Sequence, residues 1–248
     1  MKRREFLGSC SALGGAAITG WGALSESWAN APPRLYARTR LVDIHGKPVR
    51  SHQLAAEINY VFHYPFAATP CLLLKLGRPV AAAAALQRED GASYAWQGGV
   101  GEQRNIVAFS AICAHKLAYP TREVSFIRYQ RERSATSGAQ VIHCCADHSV
   151  YDPAQGARVM SGPAPQPLAA ILLEYDAQAD EFYALGTVGA EQFEPFFNKY
   201  RMKLELEYGE AKARAPVDGR TVVGELEQYC KKTIPLSPRR DGLASRFC

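Results

Sequence analysis

Two short pairs of cysteine and histidine are the residues in this chain best suited to do chemistry. Cys113-Ala114-His115 precedes Cys145-Ala146-Asp147-His148, which gives C-x-H followed by C-x-x-H. A thiolate sulfur is a soft ligand and an imidazole nitrogen a borderline one, so the set selects zinc, copper or iron–sulfur chemistry over magnesium or calcium. Structural zinc more often takes C-x-x-C with H-x-x-x-H, each pair straddling one tetrahedral ion. One Cys and one His in each pair permits another division, with two thiolates on one iron and two imidazoles on a second. Cys144 adjoins the second pair but would give C-x-x-x-H, and it reads as a buried bystander. His143 falls on the opposite face of a strand from Cys144, and His45, His52 and His63 have no partner at ligand spacing.

The elements that must hold these loops read as strands. After Pro32-Pro33 the chain consists of short apolar runs separated by turns, and 20 Gly and 15 Pro supply the turns. Strands are expected over 35–44, 59–63, 71–76, 106–112, 123–129, 140–143, 168–175 and 181–188, so each cysteine pair follows a strand. Residues 200–208 alternate apolar and charged side chains without a break, which predicts a further strand with one wet face. Val222, Val223, Leu226, Tyr229 and Cys230 predict a short amphipathic helix, with an extended tail over Pro235 to Arg240. The fold class is therefore all-β, built of antiparallel sheets, with a C-terminal strand and short helix.

Composition narrows the function classes. The 248 residues allow one domain with extensions or two small ones, and 47% hydrophobic with 21% charged residues is the balance of a chain that builds a core. A net charge of +5, evenly spread, excludes nucleic acid as an expected partner. The chain begins Met1-Lys2-Arg3-Arg4-Glu5-Phe6-Leu7, continues through a Gly/Ala/Ser-rich stretch and reaches Ser27-Trp28-Ala29, a small-x-small cleavage pattern. This resembles a twin-arginine signal peptide, and it predicts a periplasmic protein that folds around its cofactor before export. A retained N-terminal membrane anchor is the alternative. The expected divisions are a signal at 1–29, a cofactor domain at 30–190 and a C-terminal extension at 191–248. In an oxidising compartment Cys230 and Cys248 are able to pair.

Taken together, Cys113-Ala-His115-Lys-Leu117, Cys145-Ala-Asp-His148 with Tyr151-Asp152 beyond it, and Gly162-Pro163-Ala164-Pro165 resemble the two ligand boxes and the proline loop of the Rieske iron–sulfur family. The resemblance covers residues 35 to 190. It implies packed antiparallel sheets with a small inserted subdomain, and a 2Fe-2S cluster bound by Cys113 and Cys145 on the inner iron and by His115 and His148 on the outer one. Ser149 and Tyr151 are candidate donors to the cluster sulfurs. A midpoint within the Rieske span of about −150 to +300 mV, below its upper end, is expected.

Two departures bear on the subfamily. Members of the cytochrome bc type carry a further cysteine in each loop, joined as a disulfide, where this chain has Ala118 and Asp147. The second box is also one residue short between His148 and Asp152. The missing disulfide makes the chain more similar to the small Rieske subunit of arsenite oxidase-like enzymes. The resemblance then implies a noncatalytic periplasmic electron-transfer subunit. Its partners would be a catalytic oxidoreductase subunit, such as a molybdenum-containing one, or a c-type cytochrome. The alternative is a quinol-oxidising bc-type subunit touching the membrane through an uncleaved N-terminus, and structural zinc is the nonredox reading. Catalytic oxygenation is excluded by inventory, because a mononuclear iron would need two more His and a carboxylate, and no His follows His148.

Overall fold

Strands form where β-branched, leucine and aromatic residues run between glycine, proline and asparagine breaks. The computed structural model describes residues 31–134, 136–209 and 211–233. The first eight strands are β1 (Arg34–Val42), β2 (Tyr60–His63), β3 (Pro70–Lys75), β4 (Ala83–Gln87), β5 (Ser93–Trp96), β6 (Ile106–Ser110), β7 (Val124–Ser125) and β8 (Ile127–Gln130). They are followed by β9 (Val141–Cys144), β10 (Ser149–Asp152), β11 (Arg158–Ser161), β12 (Ala170–Asp176) and β13 (Glu181–Val188). The C-terminal part adds α1 (Phe193–Tyr208), β14 (Gly219–Val222), β15 (Gly224–Glu225), α2 (Leu226–Tyr229) and β16 (Lys232–Thr233). The all-β class expected from the sequence is what the structure shows.

The large sheet has the order β14-β1-β13-β12-β6-β3-β2-β15. Its two edge strands, β14 and β15, are separated in the chain only by Val223, so the edges return to one another. Thr221 closes the gap: its hydroxyl donates to the His63 carbonyl at 2.8 Å and accepts the His63 N–H at 3.4 Å. Residues of the C-terminal part thus complete the sheet, with β14 parallel to β1 and β15 antiparallel to β2.

Period-two alternation sorts the central strands into two cores. Leu73 of β3, Ala108 of β6 and Leu173 of β12 pack with Leu41, Phe62 and Phe182 from around the sheet. Their neighbours Leu72, Phe109 and Leu172 point the other way, into a core shared with Ile127, Ile142, Cys144 and Tyr151. Those last four belong to a second sheet, of order β11-β10-β9-β8. The second sheet is the small inserted subdomain, and Cys113 at the end of the β6 segment lies in the same shared core.

Three C-terminal expectations need correction. Residues 200–208 are helical, as the second half of α1, and not a strand. The upstream Phe193, Phe196 and Phe197 with Leu204 make a stripe at helical spacing, all buried, whereas Met202 and Leu206 of the alternating run are 75% and 88% exposed. Lys, Glu, Leu and Met are good helix formers, so the alternation alone did not decide the period. The expected helix over Val222 to Cys230 is confined to Leu226–Tyr229, with β14 and β15 before it. Cys230 is a free, buried thiol packed with Val61 and Leu226 rather than a disulfide partner. The signal residues 1–29, the tail over Pro235 to Arg240 and Cys248 lie outside the described residues. Among the described residues no helix is long and apolar enough to cross a membrane.

Candidate metal centre

Two loops meet at one end of the shared core. The first follows β6 and turns back on itself, with the Cys113 N–H donating to the Ala118 carbonyl at 2.9 Å and the Leu117 N–H to the Cys113 carbonyl at 3.0 Å. Leu117 takes a positive φ of 59° to make the turn. Helix α1 braces this loop from outside: the Tyr119 ring stands edge-on to Phe196 at 4.8 Å and to Tyr200 at 4.9 Å, and Lys199 Nζ donates to the Lys116 carbonyl.

The second loop joins β9 to β10 over residues 145–148. The Cys144 carbonyl accepts the His148 N–H at 2.7 Å, and the register pairs Ser149 with Cys144, Val150 with His143 and Tyr151 with Ile142. Directly paired residues share a face, so Cys144, Ser149 and Tyr151 look toward Cys113 while His143 and Val150 look away. Gly162 lies against this loop. Its φ is +89°, and a Cβ there would come within 2.5 Å of the His148 carbonyl oxygen, so the proline loop rests its backbone directly on the second loop.

The sulfurs of Cys113 and Cys144 and a carboxylate oxygen of Asp147 lie within 4.8 Å of one another. Asp147 Oδ2 is 2.9 Å from His115 Nδ1 and 3.4 Å from Cys113 Sγ, and Oδ1 accepts the Ser149 N–H at 2.9 Å. The Tyr151 hydroxyl accepts the Ala114 N–H at 3.3 Å and stands 3.4 Å from Cys113 Sγ. Ser149 Oγ is buried with no hydrogen-bond partner. Of the residues expected from the sequence, Cys113 is in this group, and His115 meets it only through its contact with Asp147. Cys145 and His148 are not brought to it. Cys145 is disulfide-bonded, and its N–H donates to the Phe126 carbonyl at 2.6 Å. His148, at a φ of 60°, is exposed and places its ring 5.6 Å from that of His143, on the side of β9 turned away from Cys144. Cys144, read from sequence as a bystander, takes the inward position instead.

The electrostatics favour one anion among the sulfurs. A hydrogen bond from the Cys144 thiol, with further donation from Tyr151 and the His115 and Lys116 N–H groups, holds the Cys113 thiol below its ordinary range despite burial. The same bond to Cys113, together with burial, pushes Cys144 up. Burial also raises the Asp147 carboxyl, but the Ser149 N–H, the His115 ring and the two thiols outweigh it and leave the group below the usual carboxylate range. Burial and the neighbouring Cys113 raise the Tyr151 hydroxyl, so it stays a donor. Burial, then the His148 ring, pulls His143 down to about 4. Two sulfurs and a carboxylate, with an imidazole on the carboxylate, make a donor set suited to a soft or borderline metal centre.

No protein-family model matches the chain. Among solved structures it is similar to the soluble domain of the Rieske protein II (soxF) from Sulfolobus acidocaldarius, with 21% sequence identity and a TM-score of 0.48 over 75% of this chain and 96% of that one.

Proposed function

We propose that this protein is an exported one-electron carrier whose two loops hold a 2Fe-2S cluster of the Rieske type. The observation that carries the reading is the meeting of Cys113, Cys144 and Asp147 within 4.8 Å at the loop tips. Bound there, such a cluster supplies reversible uptake of a single electron. Cys113 and Cys144 are fully buried and would hold the inner iron. His115, with 35% of its side chain exposed, would hold the iron nearer the surface and give a partner its shortest approach. Tyr151 places its hydroxyl on Cys113 Sγ, and Ser149 keeps a donor free for a sulfur that the protein itself does not provide.

The twin-arginine pattern at Met1 to Leu7 supports a periplasmic location. Ala118 offers no thiol for the loop disulfide of bc-type subunits, which favours an electron-transfer subunit of a periplasmic oxidoreductase over a quinol-oxidising one. Its partners would be a catalytic subunit, such as a molybdenum-containing one, or a c-type cytochrome. The test is metal analysis of the full chain exported by its own signal. About two irons and two acid-labile sulfides per chain are expected, with an electron paramagnetic resonance signal on reduction. Stoichiometric zinc, or iron-free protein with Cys113 and Cys144 joined as a disulfide, overturns the reading. Fractionation with N-terminal determination separates a released carrier from an anchored one.

A further inference from the structure

Resting on that reading, we infer that the outer iron is bound by one imidazole and one carboxylate, His115 Nδ1 and Asp147 Oδ2, and that His148 is not a ligand. The Asp147 side chain is only 2% exposed. One of its oxygens is satisfied by the Ser149 N–H, while the other is aimed at His115 Nδ1 and the Cys113 sulfur. A buried carboxylate beside two sulfurs concentrates negative charge where solvent cannot screen it. Burial of that kind is costly unless a cation compensates it, and a metal centre coordinated by the same atoms is such a cation.

The backbone separates Asp147 from His148. Both N–H groups point to the Cys144 carbonyl, at 3.4 and 2.7 Å, so the turn is tight and successive side chains leave it in different directions. His148 leaves toward His143, on the face of β9 opposite Cys144. A slip of the β9–β10 register by one residue, from the pairing of Ser149 with Cys144, is what would set His148 opposite Cys144. Such a slip would also turn Ser149 and Tyr151 away from Cys113, and Tyr151 is held there by the Ala114 N–H. The primary structure agrees. Cys144-x-x-Asp147 has the same spacing as Cys145-x-x-His148, and reading the box from Cys144 removes the one-residue deficit before Asp152.

A carboxylate brings a negative charge that a neutral imidazole does not, so the loaded site is one unit more negative and its potential is lower than with two imidazoles. The test is pulsed electron paramagnetic resonance of the reduced, full-length protein, which counts nitrogens bound directly to iron. One such nitrogen is expected in the wild type. It should persist in His148→Gln and in Cys145→Ser, whereas Cys144→Ser should lose the cluster. Asp147→Ala is expected to lose it too, and because that variant alone could reflect misfolding, Asp147→His is the informative partner: it should keep the cluster, show two nitrogens and raise the midpoint. Two nitrogens in the wild type, one of them lost in His148→Gln, would overturn the inference while leaving the cluster reading intact. Absence of iron and sulfide from the wild type would overturn the proposed function itself, and this inference with it.

Discussion

The Tyr151 hydroxyl stands 3.4 Å from Cys113 Sγ, bridging β10 to the first loop across the shared core. A donor on a ligand sulfur stabilises the reduced, more negative cluster more than the oxidised one, and Ser149 Oγ is positioned on the same face to do likewise. If each bond differs by about 1 kcal/mol between the two states, Tyr151→Phe and Ser149→Ala should each lower the midpoint by roughly 40 mV. Protein-film voltammetry of the two variants measures this directly. An unchanged midpoint in both would show that neither hydroxyl reaches a sulfur.

Helix α1 is anchored by few side chains, and they predict an uneven mutational profile. Phe196 is fully buried between Tyr119, Phe197 and Tyr200, so Phe196→Ala should cost about 3–5 kcal/mol. Leu206 is 88% exposed, and Leu206→Ala should stay within about 0.5 kcal/mol. Urea denaturation distinguishes this pattern from that of a strand, in which Leu204 and Leu206 would share a buried face and cost alike.

Thr221 joins β14 to β2 through two hydrogen bonds to His63 where the large sheet closes. Thr221→Val keeps the shape but removes the hydroxyl, leaving the His63 N–H and carbonyl short of a partner, at a cost of about 1–2 kcal/mol. Hydrogen exchange should show the loss as faster opening at His63 and the β14 edge before the rest of the sheet. Uniform protection in the variant would mean that the edges are held by other contacts.

Acid should destabilise the fold before its carboxylates titrate. His63 is packed against the Tyr229 ring, which Arg122 also covers, and burial followed by the Arg122 charge pulls its pKa from 6.5 down to about 4. Below pH 6.5 the unfolded chain takes a proton that the folded chain refuses, so stability is full above that pH, falls as the pH drops toward 4 and levels off beneath it. The loss is on the order of 3 kcal/mol for a shift of this size. His143, also pulled down to about 4, contributes in the same window. Denaturation midpoints measured across pH 4 to 7 should therefore slope less in His63→Phe than in the wild type, and equal slopes would remove His63 from the account.

The residue types alone determined that the chain is β-rich and that its candidate metal ligands lie in two Cys/His loops. Ile106 to Ser110 could only be a buried strand, and Cys113 and His115 follow it at a spacing that few structural roles would need. Tyr151 was legible too, as an aromatic beyond the second box. Which of Cys144 and Cys145, and which of Asp147 and His148, faces Cys113 was not. Neighbouring residues on a strand point to opposite faces, so a shift of one position exchanges an inward side chain for an outward one. That position is set by which residue of β10 stands opposite Cys144, a pairing made by hydrogen bonds along the hairpin and by Tyr151 filling the core beside Cys113. Residues 200–208 were misread for a related reason. Their alternation satisfied a strand, but the phenylalanines at 193, 196 and 197 needed one continuous buried stripe with Tyr119, and only a helix brings them and Leu204 to the same side.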